Sequence, residues 1–173
     1  MDARREAEFT AFVRDRWRDL VRVAVFLGAD HAEAEELAQA TLVRCYRKWH
    51  HVENAANTEA YVYRMLLNQL RDSRRTRWWR LRADVVADTP VADASEQVET
   101  SDAVHRALGE LTPGQRDVVV LRYFVQLTET QTAAALSIAP GTVKSRLSRA
   151  LDHLAGSPHL SEFARTELLK EQP

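Results

Sequence analysis

Two helix starts lie close together in the stretch LTETQTAAALSIAPGTVKSRLSRAL, residues 127–151. Thr128 with Gln131 has the spacing of a capping box, in which two side chains satisfy the free amides at the start of a helix. Pro140 suits the first position of a second helix, because its fixed φ is already helical. Only about three residues, 137–139, remain to connect the two. This arrangement predicts a helix-turn-helix unit.

Apolar residues recur at helical spacing through the rest of the chain, and no segment alternates with the period of a strand. In the first half they predict a three-helix bundle, with Gly28 ending the first helix and Thr58 as the N-cap of the third. A second capping box, Thr112 with Gln115, precedes Pro113. The apolar stripes are Phe9, Phe12, Val13, Trp17, Leu20, Val21 and Ala24; Ala34, Leu37, Ala38, Leu42, Cys45, Tyr46 and Trp49; Tyr61, Val62, Met65, Leu66 and Leu70; and, on the last helix, Val143, Leu147, Ala150, Leu151 and Leu154. The predicted fold is therefore all-α.

An acidic segment divides the chain into two helical blocks. Residues 83–102 contain six acidic residues, no basic residue and Pro90, without sustained periodicity. The block before them has 16 basic and 12 acidic residues, and residues 103–155 have six and four. We predict two small helical domains, residues 5–82 and 103–155, joined by this linker and followed by a tail over residues 156–173. A linker of about 20 residues spans up to about 65 Å when extended, which lets two domains contact separate sites.

The last predicted helix has a polar, basic face opposite its apolar stripe. Thr142, Ser145, Arg146 and Arg149 share this face, and Lys144 lies beside it. Helices that read DNA place such side chains against base edges and phosphates in the major groove. Because this helix follows a capped helix and a short turn, we favour DNA contact over the alternative, a solvated face of an amphipathic helix.

A second basic segment ends the first block. Six arginines lie between Arg71 and Arg82, interleaved with Trp78 and Trp79. Guanidinium groups attract phosphates and indole rings stack on bases, so the segment predicts nucleic-acid contact. The alternative is a basic helix end whose tryptophans shield the core.

The cysteine and histidine content argues against several classes of protein. Cys45 is the only cysteine, so no internal disulfide can form, and we expect it in the core. His31, His50 and His51 do not share a metal-ligand spacing with it or with a pair of carboxylates, and we expect neither a metal nor another cofactor. No apolar run reaches the roughly 18–20 residues that span a bilayer. The amino-terminal sequence lacks the apolar core of a signal peptide, so we expect a cytoplasmic location.

Two groups of motifs resemble the extracytoplasmic-function (ECF) sigma factors of the sigma-70 family, in particular the SigE-like subgroup. Region 4 of that family resembles ALGELTPGQRDVVVLRYFVQLTETQTAAALSIAPGTVKSRLSRALDHL. Region 2 resembles AEELAQATLVRCYRKW and EAYVYRMLLNQLRDSRR. The pattern of Asn68, Asp72 and Arg75 adds to the match, and Ser137 stands where the family has a glycine in the helix-turn-helix.

The resemblance implies a bacterial promoter-specificity subunit of RNA polymerase that is not itself an enzyme. It implies −35 contacts by Thr142, Lys144, Ser145, Arg146 and Arg149; −10 contacts by His50, His51, Asn54 and Asn57, in a polar loop predicted over residues 50–57, and by Asn68, Arg71, Arg74 and Arg75; and polymerase contacts by Glu35, Glu36, Leu37, Gln39, Leu42, Val43 and Tyr46. The implied partners are the β′ clamp and β flap of core polymerase, promoter DNA and an anti-sigma factor.

Two other classes of function stay open at this point. A stand-alone helix-turn-helix regulator would usually need a dimer that reads two half-sites. A nuclease could use His50 and His51, although the sequence offers no carboxylate cluster at metal-ligand spacing. The first helical block discriminates among the three, since a repressor has no need of a helix that docks on polymerase.

Overall fold

The structure, a computed structural model, describes the backbone of residues 3–83 and 98–160 and the side chains of residues 4–76 and 102–160. All regular secondary structure within these ranges is helical, which confirms the predicted all-α class. The helices are α1 (Ala3–Phe26), α2 (His31–Arg47), α3 (Trp49–Glu53), α4 (Thr58–Ala83), α5 (Val98–Gly109), α6 (Pro113–Val119), α7 (Glu129–Leu136) and α8 (Pro140–Ala155), and a π-helical segment, Val120–Phe124, continues α6. Most of the predicted linker lies outside the described residues, and α5 begins inside its predicted range.

The first four helices pack around a common apolar core. α1 packs on α2 and α2 on α4, and Leu20, Leu66 and Leu70 are fully buried between them. Phe9 makes edge contacts with Tyr46 and Trp49, at ring-centroid distances of 5.1 and 5.2 Å. Each buried leucine contributes about 1.5–3 kcal/mol relative to an exposed one, so the helical stripes account for the bundle.

The segment between α2 and α4 differs from its prediction. The sequence predicts a polar loop over residues 50–57, but Trp49–Glu53 forms the one-turn helix α3. Trp49 and Val52 are buried and hold this turn against the bundle. The prediction of a loop was wrong for residues 50–53, because it weighed the polar residues of the segment and overlooked Val52, whereas Trp49 was already expected on a buried stripe.

The start of α4 is capped one residue earlier than predicted. The Asn57 side-chain oxygen accepts a hydrogen bond from the amide of Ala60 at 2.6 Å, which is the geometry of an N-cap. The Thr58 hydroxyl instead donates to the carbonyl of Val52 at 3.3 Å. Either residue type caps helices well, so the sequence could not decide between neighbours.

The second half contains the predicted helix-turn-helix. A capping box at Thr128 opens α7, with reciprocal bonds to Gln131 of 2.8 and 3.2 Å, and α8 opens at Pro140. Ser137 ends α7 at φ 57°, the left-handed conformation that the tight turn requires. The apolar stripe of α8 is buried at Val143 and Ala150 and partly buried at Leu147 and Leu154.

Leu151 is the exception on α8, because 38% of its surface is exposed. The sequence predicts it to be buried with the rest of the stripe. Helical spacing places the residue at the edge of the apolar face, and α6 and α7, which cover the centre of that face, leave this edge uncovered.

The two halves also pack on each other. α7 lies against α4, and the π-helical segment lies against α1. The rings of Phe26 and Phe124 meet at 4.4 Å between centroids. A single cluster of buried side chains runs through both halves, so the helix-turn-helix unit is positioned by the bundle.

Candidate nucleic-acid interface

The polar face of α8 lies at the surface. Lys144, Ser145 and Arg149 are exposed, and Thr142 is half-buried. The Ser145 hydroxyl is hydrogen-bonded to the Thr142 carbonyl at 3.2 Å. The exposed amino-terminal end of α8 adds a partial positive charge from the helix dipole. A helix that presents hydroxyl and cationic groups at such an end can bind phosphates and reach base edges.

Arg146 is on the same helix but has a different environment. It is half-buried, and its guanidinium lies along the backbone of α6, where a Cβ added to Gly114 would lie 3.0 Å from Arg146 Nη1. Gly114 therefore provides the space that this side chain occupies. Of the five predicted −35 residues, three are exposed, while Thr142 and Arg146 are half-buried.

The arginines of α4 are largely engaged by protein groups. Arg74 donates to the carbonyl of Leu27 at 2.6 Å, and Arg75 pairs with Asp72 at 3.2 Å. Arg71 Nη2 lies 3.8 Å from the carboxylate of Asp117 in α6. Asn68 is exposed one turn earlier. The side chains of Trp78, Trp79 and the later arginines lie outside those that the structure describes.

The polar residues around α3 form local hydrogen bonds. The Asn54 amide donates to the His50 carbonyl at 2.7 Å, and His50 Nδ1 lies 3.3 Å from the carboxylate of Glu53. Asn57 is used as the cap of α4. His50 and His51 are exposed, with ring centroids 5.9 Å apart. The four predicted residues are brought together, but the two asparagines also stabilise the connection itself.

The predicted polymerase-binding residues of α2 separate into two groups. Val43 and Tyr46 are 45% and 46% exposed, and Glu35, Glu36 and Gln39 are exposed on the same helix. Leu37 and Leu42 are only 6% and 5% exposed and belong to the bundle core. Both help to hold α2 in place, so the other five residues form the exposed part of the helix, and the polymerase contacts of all seven stay predictions.

Asp117 is a residue that sequence reasoning missed. Its side chain is 13% exposed, and burial raises its pKa, although nearby Arg71, Arg74, Arg116 and Arg146 act to lower it. An acid directly before the apolar run VVVL, residues 118–121, was a signal that could have identified it. Asp117 is therefore a carboxylate that burial removes from water while arginines of both halves lie near it.

Cys45 is buried, which confirms its place in the core, and burial raises its pKa to about 11. Among the described residues, no three histidine, cysteine or acidic side chains are grouped as a metal site would require. None of the described helices has the length and apolar character needed to cross a membrane.

Comparison with known proteins identifies the class. Residues 12–80 match Sigma-70 region 2, and residues 101–154 match Sigma-70, region 4. RNA polymerase sigma-E factor of Streptomyces coelicolor is 39% identical over 153 residues, covering 85% of this chain and 84% of the relative. ECF RNA polymerase sigma factor SigM of Mycobacterium tuberculosis is 32% identical over 147 residues, covering 85% and 75%.

A solved structure agrees with these sequence matches. The sigma factor RpoE of Bartonella quintana, crystallised in complex with the anti-sigma factor NepR, superposes with a TM-score of 0.71 at 27% identity. The alignment covers 96% of this chain and 99% of that one. The chain belongs to the ECF group of the sigma-70 family of RNA polymerase sigma factors.

Proposed function

We propose that this sigma factor binds core RNA polymerase through α2, reads a −35 element with α8 and engages a −10 element with α3 and α4. The observation that carries the proposal is the exposed face of α8, where Lys144, Ser145 and Arg149 follow a tight helix-turn-helix connection. As a transcription initiation factor, the protein selects the start site and catalyses no reaction itself.

The −35 contact follows from the chemistry of α8. Lysine and serine at the start of the helix suit phosphates, and an arginine farther along can form two hydrogen bonds to a guanine edge. One such bidentate contact discriminates against a wrong base by about 1–3 kcal/mol. Arg149 is exposed and can make that contact without rearrangement of the fold.

The −10 contact follows from the polar groups near α3. Opening a duplex requires capture of an unstacked base, through stacking and hydrogen bonds to its edge. His50 and His51 offer exposed rings, and Asn68 an exposed amide, on neighbouring helices. We assign Asn57 a supporting role here, because its oxygen caps α4.

The polymerase contact is proposed for the exposed part of α2. Val43 and Tyr46 form an apolar patch beside Glu35, Glu36 and Gln39. Aromatic side chains at the centre of a patch with a polar rim are typical of protein interfaces. We assign this surface to the β′ clamp, region 4 to the β flap, and, by likeness to the Bartonella complex, regulation to an anti-sigma factor.

The test combines association with core polymerase and run-off transcription from DNA upstream of the chain's own gene. Arg149→Ala is expected to lower promoter-specific transcription about 5- to 150-fold, the equivalent of one lost bidentate contact, and to leave polymerase binding intact. Gln39→Ala is expected to weaken polymerase binding and leave duplex binding unchanged.

Matched controls separate contact from folding. Ser148→Ala changes an exposed residue next to Arg149 and should alter transcription little. Loss of polymerase binding in Arg149→Ala would contradict the assignment of α8. A wild-type chain that shifts duplex DNA but ignores polymerase would point to a stand-alone regulator.

A further inference from the structure

The side chain of Arg146 on α8 lies against the start of α6. A Cβ added to Gly114 would lie 3.0, 3.2 and 3.5 Å from Nη1, Cζ and Nε of Arg146. Three atoms of one guanidinium group therefore lie close to a single position of α6. Two of these distances are shorter than an ordinary van der Waals contact, so a larger residue at position 114 would push the guanidinium away.

The place of Arg146 along α8 explains this orientation. Val143 and Ala150, three residues before it and four after it, are 1% and 0% exposed. Residues at these spacings share one face of a helix, and α6 packs on α8. Arg149 instead follows Ser145 by four residues, and both are exposed. Arg146 therefore lies at the margin of the apolar face that α6 covers, whereas Arg149 lies on the open face.

A buried carboxylate of α6 lies near the same guanidinium group. Asp117 comes three residues after Gly114, so the two positions lie on one face of α6. The side chain of Asp117 is 13% exposed, and Arg146 is among the cations that act to lower its pKa. Helix α6 therefore offers Arg146 both space, at Gly114, and negative charge, at Asp117.

Contact of Arg146 with DNA would undo this packing. To reach a phosphate, the guanidinium would have to leave Gly114 and a carboxylate that burial removes from water. Lys144 and Arg149 are exposed and can meet DNA without such a rearrangement. Their contacts with base edges and phosphates still require a helix held to within about 0.5 Å of the productive position, which is the task of supporting residues.

We propose that Arg146 is a positioning residue, which packs on Gly114 beside Asp117 and sets the orientation of α8 on α6, while the exposed residues of α8 contact the −35 element. The proposal rests on the −35 role of α8 proposed above, and it takes Arg146 out of the set that touches DNA. The two roles differ in their response to salt. Each cation that binds a phosphate of B-form DNA adds about 0.9 to the steepness with which log affinity falls against log salt, because it releases condensed counterions. A positioning residue adds nothing to this salt slope.

The test measures promoter binding by the assembled holoenzyme at several salt concentrations. Core polymerase carries each full-length variant, and the DNA is a labelled duplex from upstream of the chain's own gene. Lys144→Ala removes an exposed cation of α8 and should reduce the salt slope by about 0.9. Arg146→Ala should weaken promoter binding several-fold and keep the wild-type salt slope.

Gly114→Ala tests the same contact without changing a charge. Its Cβ displaces the guanidinium of Arg146, so we expect weaker promoter binding and, again, the wild-type salt slope. Combined with Arg146→Ala, it should have little further effect, because both changes break one contact. Gly109→Ala is the matched control, since a Cβ there meets nothing within 4 Å, and it should bind as the wild type does.

Circular dichroism identifies the variants that keep their helices, and Gly114→Ala decides the question if Arg146→Ala does not fold. A salt slope reduced as much by Arg146→Ala as by Lys144→Ala would mean that Arg146 binds a phosphate, and the positioning role would be wrong. Wild-type affinity in a folded Gly114→Ala variant would also overturn it. If Lys144→Ala and Arg149→Ala both bind the promoter as the wild type does, α8 does not contact the −35 element, and the proposed function fails together with this inference.

Discussion

Helices α4 and α8 both present arginines, but the surroundings of these arginines differ. On α8, Arg149 points into solvent beside Lys144 and Ser145. On α4, Arg74 is bound to a backbone carbonyl and Arg71 faces a buried carboxylate. Both helices carry a net positive charge, yet among the described side chains Arg149 is exposed, while Arg74 and Arg71 are engaged by protein groups. Composition therefore identifies a basic helix, and packing decides whether its charge is free to bind.

The largest difference in the free energy of unfolding is expected between Arg74→Ala on α4 and Arg149→Ala on α8. A charged hydrogen bond to a carbonyl in the protein contributes about 1.5–3 kcal/mol, so Arg74→Ala should lower the free energy of unfolding by about that amount. Arg149→Ala should change it by less than about 0.5 kcal/mol, because the side chain is exposed. Urea unfolding followed by circular dichroism measures both. Equal stability of the two variants would mean that Arg74 contributes no more to folding than the exposed Arg149.

A smaller effect is expected at the start of α4. Asn57→Ala removes the N-cap and should cost about 1 kcal/mol, whereas Thr58→Ala should cost less, since Thr58 does not cap the helix. Thermal unfolding of the two variants gives the comparison. If Thr58→Ala is the more destabilising, the cap lies where the sequence predicts it and Asn57 is free for DNA.

The third effect is a dependence of stability on pH that arises from Asp117. Burial raises the pKa of Asp117, against the opposing effect of Arg71 and Arg74 on α4, Arg116 on α6 and Arg146 on α8. Because the folded pKa lies above the unfolded one, the stabilisation that comes from protonated Asp117 is fully present below the unfolded pKa. It is lost as the pH rises through the folded pKa.

Asp117→Asn should therefore raise the melting temperature at neutral pH and flatten its dependence on pH above about pH 4. Arg71 is 46% exposed and stays hydrated when its partner loses its charge. Asp102→Asn, at an exposed site paired only locally with Arg106, is the matched control for the change in net charge. A fall in melting temperature for Asp117→Asn alone would mean that attraction to the arginines outweighs desolvation.

Local features of the structure were largely predictable from the sequence. The capping boxes, Pro113, Pro140 and the turn at residues 137–139 are where the sequence places them, because each depends on neighbouring residues only. Helix α3 and the cap at Asn57 were not predicted, since the burial of Val52 and the choice between adjacent cap residues depend on the packed bundle.

The site was predicted less completely than the fold. The amphipathic pattern of α8 places Lys144, Ser145 and Arg149 at the surface, as expected. The helical pattern of α2 likewise predicts Leu37 and Leu42 in the core, where both are buried, whereas their polymerase contacts were implied by the family resemblance alone. The domain boundaries and the contacts of individual residues with DNA and polymerase stay predictions.

The sequence by itself determined the longer helices, the capping boxes at Thr112 and Thr128, the helix-turn-helix and the family, because these follow from short-range spacing and from motifs. Tertiary structure alone decided which cations are free, how Gly114 leaves room for Arg146 and how Asp117 comes to face four arginines. The reason is physical: burial and charge pairing across the two halves depend on residues far apart in the chain, whose proximity no local pattern records.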